Sequence, residues 1–359
     1  MKAVDFFLIA AVVGLAVAID FAVGDPHVLP HPVNLIAKWI EFLEQRLRRL
    51  GRLRRREAES GDEALEGRRL RKRGVLLCFL TIAMTSGCVI AILICLRVAG
   101  VFACSAGCVY FIYSGLAARC LDVESRKVYS SLKEGNIPVA RERIGMLVGR
   151  ETEALDQNGI IQATVETIAE NTSDAVISPL FWMTAGLFAG YFLFGRTSVN
   201  ALICGATALW AFKATSTLDS VVGYKNERYI DMGRASAKTD DVLNFLPARI
   251  TGLLIVIAFG LRMRNMRVRK MRACMQIMRR DHARHASPNS GWPEAAIAGA
   301  LGIELGGGAF YSGVWVEKPL IGDKTRALMC SDILMTLDVM WICEVLALAL
   351  IFAGVAVTV

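Results

Sequence analysis

Long apolar runs, rather than amphipathic periodicity, dominate this chain. Six of them, roughly 4–23, 74–96, 98–118, 176–195, 199–212 and 333–357, approach the ~20 residues that carry a helix across a bilayer. Arg97 divides the second run from the third, and "GRTSVN", Gly195 to Asn200, divides the fourth from the fifth, so each pair predicts a tight hairpin. Four polar segments lie between the runs: 24–73, 119–175, 213–249 and 262–332. Two further apolar stretches fit less well. "ITGLLIVIAFGL", Ile250 to Leu261, has twelve uninterrupted apolar residues, a length that suits a re-entrant or interfacial helix. The stretch 294–314 carries Glu304 and several glycines, which suit close packing against other helices more than lipid. The expected fold is all-α: a polytopic membrane helical bundle, one membrane-embedded domain over 1–359, with cytoplasmic helical and loop segments carrying the chemistry.

Composition sharpens this picture. Hydrophobic residues make up 54% of the chain, which turns its length into a count of helices rather than of soluble domains. The first run lacks the basic start and small-residue cleavage site of a signal peptide, so a retained helix is expected. The net charge of +8 is concentrated in "RLRRLGRLRRRE", "GRRLRKRG" and "RMRNMRVRKMR". Basic clusters beside apolar helices mark cytoplasmic loops. They predict a multi-pass protein of the inner (cytoplasmic) membrane, with anionic lipid headgroups as partners. No aromatic interleaving or recognised module points to nucleic acid. The ten cysteines form no CxxC pair and no zinc spacing, which leaves them as small core or lipid-facing residues.

Against that background, "AENTSDAVISPLF", Ala169 to Phe181, places acids where an apolar segment begins. Glu166, Glu170 and Asp174 recur every four residues and would share one helix face, a stack that repels itself unless cations hold it. A magnesium or substrate-amine site is the functional reading; pairing with Arg143 or Arg150 is the structural one. A second segment, Lys213 to Arg249, mixes Lys213, Lys225, Arg228, Lys238 and Arg249 with Asp219, Asp240 and Asp241. Cations that clamp phosphates beside carboxylates that hold Mg²⁺ are what nucleotide chemistry requires, although a salt-bridged juxtamembrane loop has the same composition.

The third segment, "DHARHASPNSGWPEAAIAGALG", offers a turn-rich loop with Ser287, Asn289 and Ser290. Pro293 and Glu294 suit the first turn of the helix that follows, whose amides form an anion site. His285 could donate to a phosphate or move protons. A fourth, "GDPHVLPHPV", puts Asp25, His27 and His31 just after the first run, stiffened by prolines, which argues for a polar pocket rather than a zinc site.

Taken in order, "GDPHVLPHPV", "GRETEALDQNGIIQATVETIAENTSDAVISPLFW", "STLDSVVGYKNERYIDMGRASAKTDDVLNFLPAR" and "HASPNSGWPEAAIAGALG" resemble the CobD/CbiB family of cobalamin biosynthesis across nearly the whole chain. The resemblance implies an adenosylcobinamide-phosphate synthase, a membrane acid-amine ligase. Such an enzyme joins adenosylcobyric acid to (R)-1-aminopropan-2-ol or its O-phosphate and consumes ATP with Mg²⁺. Other cobalamin-assembly enzymes and further copies of the chain are the remaining expected partners.

Set against that reaction, Glu166, Glu170, Asp174, Lys225 and His285 are the expected catalytic residues. Lys213, Asp219, Tyr224, Arg228, Lys238, Arg249, Ser287, Asn289 and Ser290 are expected around the nucleotide or a phosphate. Glu170, Asp174, Asp240 and Asp241 are expected around the metal. The chain departs from the family pattern at Lys238, where Arg is usual, and at Ala175, where glycine is usual. Lysine keeps the charge but loses bidentate phosphate geometry. A transporter for a corrinoid or anionic solute and a non-catalytic membrane scaffold are the competing classes. The first would show inverted repeats, and none is evident. The second has no need of so many polar motifs.

Overall fold

Apolar segments in hydrocarbon must satisfy their backbone groups internally, so these runs become helices. The computed structural model describes residues 2–25, 31–56, 63–224, 226–263, 267–311 and 313–358. In chain order the α-helices are α1 (Lys2–Val23), α2 (Pro32–Arg56), α3 (Glu63–Ala99), α4 (Val101–Tyr113), α5 (Ala118–Lys133), α6 (Ile137–Gly145), α7 (Gln157–Asn171), α8 (Ser178–Leu193), α9 (Ser198–Val222), α10 (Arg234–Arg262), α11 (Arg267–Asp281), α12 (Gly291–Leu301) and α13 (Ser331–Thr358). A π-helical turn, Thr172–Ile177, joins α7 to α8. The only strands among the described residues are β1 (Glu304–Leu305), β2 (Ala309–Tyr311), β3 (Val314–Val316) and β4 (Ile321–Gly322). The protein is a polytopic helical membrane protein.

Among the described residues, seven helical segments are long and apolar enough to cross a membrane: Val4–Val23, Glu66–Ala99, Val101–Lys133, Gln157–Leu193, Ser198–Val222, Arg234–Arg262 and Ser331–Thr358. Six contain the runs legible in the sequence. The seventh arises because Ile250–Leu261 does not stand alone: the polar stretch before it is helical too, and Pro247 sits inside a continuous helix of 29 residues. Helix α3 likewise extends backwards through its own basic cluster.

The chain forms two compact units. The first holds Met1–Leu116 and Pro179–Leu243. In it α3 packs on α4 and α9, α1 on α4, and α2 on α9 and α3. The two hairpin breaks meet there: Arg97 Nη1 donates to Asn200 Oδ1 at 2.5 Å, and Asp5 accepts the Ser198 amide at 3.0 Å. Trp210, buried, donates to the Phe111 carbonyl at 2.7 Å. Gly186 and Gly190, one turn apart on α8, let the backbone of α9 approach closely. A Cβ at Gly186 would stand 2.4 Å from the Cys204 carbonyl oxygen, and one at Gly190 would stand 2.7 Å from that of Asn200. Small residues at this spacing are the usual means of packing helices that gain nothing from hydrophobicity in lipid.

The second unit holds Ala117–Ser178 and Asn244–Thr358. Helix α13 lies on α5 and α7, and α12 packs against α7 and α11. Every residue of α12 but Trp292 is buried, and Gly302 ends the helix in the left-handed conformation. Two nested antiparallel ribbons follow. β1 pairs with β4, Leu305 opposite Ile321, and β2 pairs with β3, Phe310 opposite Trp315. Asp281, fully buried at the end of α11, anchors them: it accepts the Gly322 amide at 2.8 Å and pairs with Arg280 and Arg284. The segment 294–314 is thus a buried helix followed by a hairpin.

Adding one methyl group at Gly186 forces the helix backbones apart, an overpacking cost of roughly 1–3 kcal/mol. Gly186→Ala is therefore expected to lower the thermal midpoint of the detergent-solubilised protein by several degrees. An unchanged midpoint would refute close packing at this position.

Candidate active site

Helix α7 begins where Asp156 caps the Gly159 amide at 2.7 Å, then runs regularly to Asn171. Its regular pitch places Glu166 and Glu170 on one face, and both line a cavity of about 230 Å³ with Arg150, His285, Glu294 and Lys318. Asp174 does not line it. It falls within the π-helical turn that follows α7, so two of the three acids in the stack reach the cavity. The third acid comes instead from α12, as Glu294.

The three carboxylates are handled in three ways. Glu166 is neutralised in place: Arg150 donates to Oε2 at 2.7 Å, while Gln162 and the Gly306 amide donate to Oε1 at 2.9 and 2.8 Å. The Gly306 backbone has φ 92°, and a Cβ there would meet the Pro319 carbonyl oxygen at 2.3 Å, so only glycine brings its amide this close. Glu294 is 5% exposed, and its pKa is raised well above the ordinary value. Burial is the chief cause, aided by repulsion from Glu166 and Glu170. Glu170 accepts Ser290 Oγ at 2.8 Å through Oε1, and its Oε2 has no hydrogen-bond partner among the described residues.

His285 stands 3.6 Å from Glu294 through Nε2, and its Nδ1 accepts the Ser287 amide at 3.0 Å. That bond places the ring proton on Nε2. Burial holds the imidazole below its ordinary pKa against the pull of Glu170. Ser287 Oγ takes the Asn289 and Ser290 amides at 3.2 and 3.3 Å, closing the turn before α12. A phosphate at these amides would have to displace the hydroxyl.

The structure thus brings together Glu166, Glu170, His285, Ser287 and Ser290, with Asn289 buried in the same loop. Arg249, also in the second unit, lies over the rings of Phe245 and Trp292 at 3.4 and 4.8 Å. Lys213, Asp219, Tyr224, Arg228, Lys238, Asp240 and Asp241 belong to the first unit. There Arg228 bonds to the buried Glu44 at 3.2 Å, and neighbouring Asp231 pairs with Arg71 at 2.7 Å. At these two positions the geometry is that of a salt-bridged loop. Tyr224 and Lys238 are exposed, while Lys213 and Asp219 are half-buried on α9. Asp240 and Asp241 are consecutive on α10, about 100° apart around the helix, and both are half-buried. Lys225 lies outside the described residues, as does His27; Asp25 and His31 approach to 3.5 Å.

Sequence reasoning passed over Glu294, whose position suited a helix start. It also missed Lys318, which arrives from the far side of the β2–β3 hairpin and carries no local signal. Among the described residues no three His, Cys, Asp or Glu side chains are grouped to hold a metal by themselves. A Mg²⁺ carried on substrate phosphates needs only one or two carboxylates.

Comparison with known proteins places this arrangement in context. Residues 13–340 match the family profile described as "CobD/Cbib protein". The chain is 38% identical to the cobalamin biosynthesis protein CbiB of Salmonella typhi over 95% of each chain. It is 42% identical to the cobalamin biosynthesis protein CobD of Geobacter metallireducens over 89% of this chain and 88% of that one. The Listeria monocytogenes CobD is 38% identical over 94% of this chain and 95% of its own. No solved structure matches.

The Glu294 assignment has a thermodynamic signature. A carboxyl whose folded pKa lies above its ordinary 4.5 holds its proton more tightly when folded, so its contribution weakens as pH rises through that interval. Glu294→Gln removes this dependence. Relative to wild type, the variant is expected to gain stability between pH 5 and pH 8 in thermal unfolding. A relative loss over that range would show that Glu294 is ionised.

Proposed function

Because the chain belongs to the CobD/CbiB family of cobalamin biosynthesis proteins, we propose that it catalyses ATP-dependent amide formation between adenosylcobyric acid and (R)-1-aminopropan-2-ol or its O-phosphate. The observation that carries this reading is the unequal treatment of three converging acids. Glu166 is neutralised by Arg150 and Glu294 by its proton, which leaves Glu170 as the carboxylate that presents an oxygen to a cavity sized for a small amine.

In this reading the corrinoid carboxylate attacks the terminal phosphorus of ATP, releasing ADP and forming an acyl phosphate. The amine then attacks the acyl carbon and expels phosphate. Glu170 binds the incoming ammonium and accepts the proton that the amine must lose. The Nε2–H of His285 and the ammonium of Lys318 supply positive potential where charge develops on the acyl and phosphate oxygens. Mg²⁺, when bound with the nucleotide, neutralises phosphate charge. Glu170 suits it among the cavity acids, and either Asp240 or Asp241 suits it in the first unit.

The cavity also bears on topology. Arg150 precedes the segment Gln157–Leu193, and Lys318 follows α10, yet both line one cavity. If Gln157–Leu193, α9 and α10 all crossed, these residues would emerge on opposite faces of a hydrocarbon layer ~30 Å thick. An even number of crossings is needed, and α10 is the one to omit, since half of it is polar and its apolar run spans twelve residues. The basic segments before α3 and along α11 then share the cytoplasmic face with the cavity.

Purified protein given adenosylcobyric acid, ATP and Mg²⁺ is expected to yield the new amide by mass with one of the two amines, and Glu170→Gln to lower kcat by roughly 100-fold or more. Corrinoid binding with no ATP-dependent product from either amine would overturn the ligase reading. Separately, single cysteines at Arg54 and Arg267, in a background without native thiols, are expected to react with impermeant maleimide only in inverted vesicles. Reaction at either site in intact cells would defeat the topology.

A further inference from the structure

A cavity of about 230 Å³ admits a small amino alcohol but lies below the ~300–1,000 Å³ typical even of drug-sized ligands, so a corrinoid macrocycle must sit outside it. We propose that the β2–β3 hairpin is the platform on which the corrinoid rests, its carboxylate-bearing arm reaching past Lys318 into the cavity. This inference rests on the ligase reading above and adds where the large substrate is held.

Three observations favour it. First, the hairpin is an exposed apolar surface: Phe310, Val314, Trp315 and Val316 are 40%, 63%, 52% and 42% exposed. Exposed apolar clusters of this kind mark binding surfaces. Second, the platform is tied to the cavity wall. The Glu151 amide donates to the Phe310 carbonyl at 3.0 Å, and Glu151 Oε1 accepts the Gly313 amide at 2.6 Å. Arg150, the adjacent residue, is the cavity's partner for Glu166. Lys318 follows β3 by two residues and lines the same cavity, so the cation nearest the platform suits a carboxylate entering from it.

Third, the indole is preset. Phe310 meets Trp315 edge-on at 5.0 Å between ring centroids, and Gly308 leaves the space that the indole fills, since a Cβ there would lie 2.5 Å from Trp315 Cζ2. A ring held in place loses little entropy on contact with a flat ligand. Residues 309–316, "AFYSGVWV", carry no charge. A surface-bound membrane anchor draws on Lys and Arg for anionic headgroups, whereas the apolar edge of a macrocycle does not.

The test is equilibrium dialysis of the full-length protein in detergent against adenosylcobyric acid. Trp315→Ser is expected to raise the corrinoid Kd at least tenfold, Trp315→Phe to restore most of the affinity, and the KM for the amine to stay within twofold in both. An unchanged corrinoid Kd in Trp315→Ser overturns the proposal and leaves the bilayer surface as the occupant of the hairpin. Loss of corrinoid and amine binding together, without rescue by Trp315→Phe, overturns it as well. A wild type that binds corrinoid but makes no amide sinks the ligase reading alone; the Trp315 variants then still decide the platform through Kd.

Discussion

A carboxylate cannot be taken out of water without a cation, a set of donors or a proton, and the second unit is organised around that constraint. Three acids converge where water is scarce, and each is given a different remedy. Arg150, Gln162 and the Gly306 amide converge on Glu166. The Gly306 amide requires the chain to double back after α12, and Asp281 in turn secures that return by holding Gly322. The hairpins after α12 are therefore part of the electrostatics of the site, since removing them would strip Glu166 of a donor and the cavity of Lys318. Glu294 has no such cage and keeps its proton instead.

This division also explains why the acids do not simply repel one another apart. With Arg150 offsetting Glu166 and a proton on Glu294, Glu170 and Lys318 are the groups left in the cavity to meet a ligand. His285 fits the same logic: burial keeps it uncharged, and its Nδ1 is already engaged by the Ser287 amide, so it contributes a directed N–H rather than a competing cation.

The spans were legible because most of their apolar runs approach the length of a bilayer crossing, and the pairing of Glu166 with Glu170 was legible because both lie on regular α-helix. Legibility ended where local periodicity ended. Asp174 lies in a π-helical turn outside the cavity lining, and nothing in "TSDAVI" announces that turn. The polar first half of α10 leaves only a twelve-residue apolar run visible in the sequence, whereas the structure continues the helix through Pro247. Composition could not separate a phosphate clamp from a salt-bridged loop between Lys213 and Arg249, because the two use the same residues. At Arg228 and Asp231 the partners, Glu44 and Arg71, lie more than a hundred positions away. Lys318 was invisible for a related reason: its role depends on a hairpin that returns it to a helix 150 residues earlier.

Why acids stand at the start of an apolar segment can now be put in physical terms. Taken together, α7, the π-helical turn and α8 run for 37 residues, about 55 Å at 1.5 Å per residue, far more than a bilayer core requires. The apolar half, α8, is the part suited to hydrocarbon; the acid-bearing half, α7, is buried instead among α5, α6, α12 and α13. One continuous segment thus supplies a membrane anchor and the wall of a polar cavity, with the π-helical turn at the junction. Asp174 falls in that turn and outside the cavity lining. Ionised side chains are costly in hydrocarbon, and α8 accordingly carries none. The third acid of the cavity comes instead from a separate helix, α12, where burial raises the pKa of Glu294, while Glu170 lines the cavity from a half-buried position on α7.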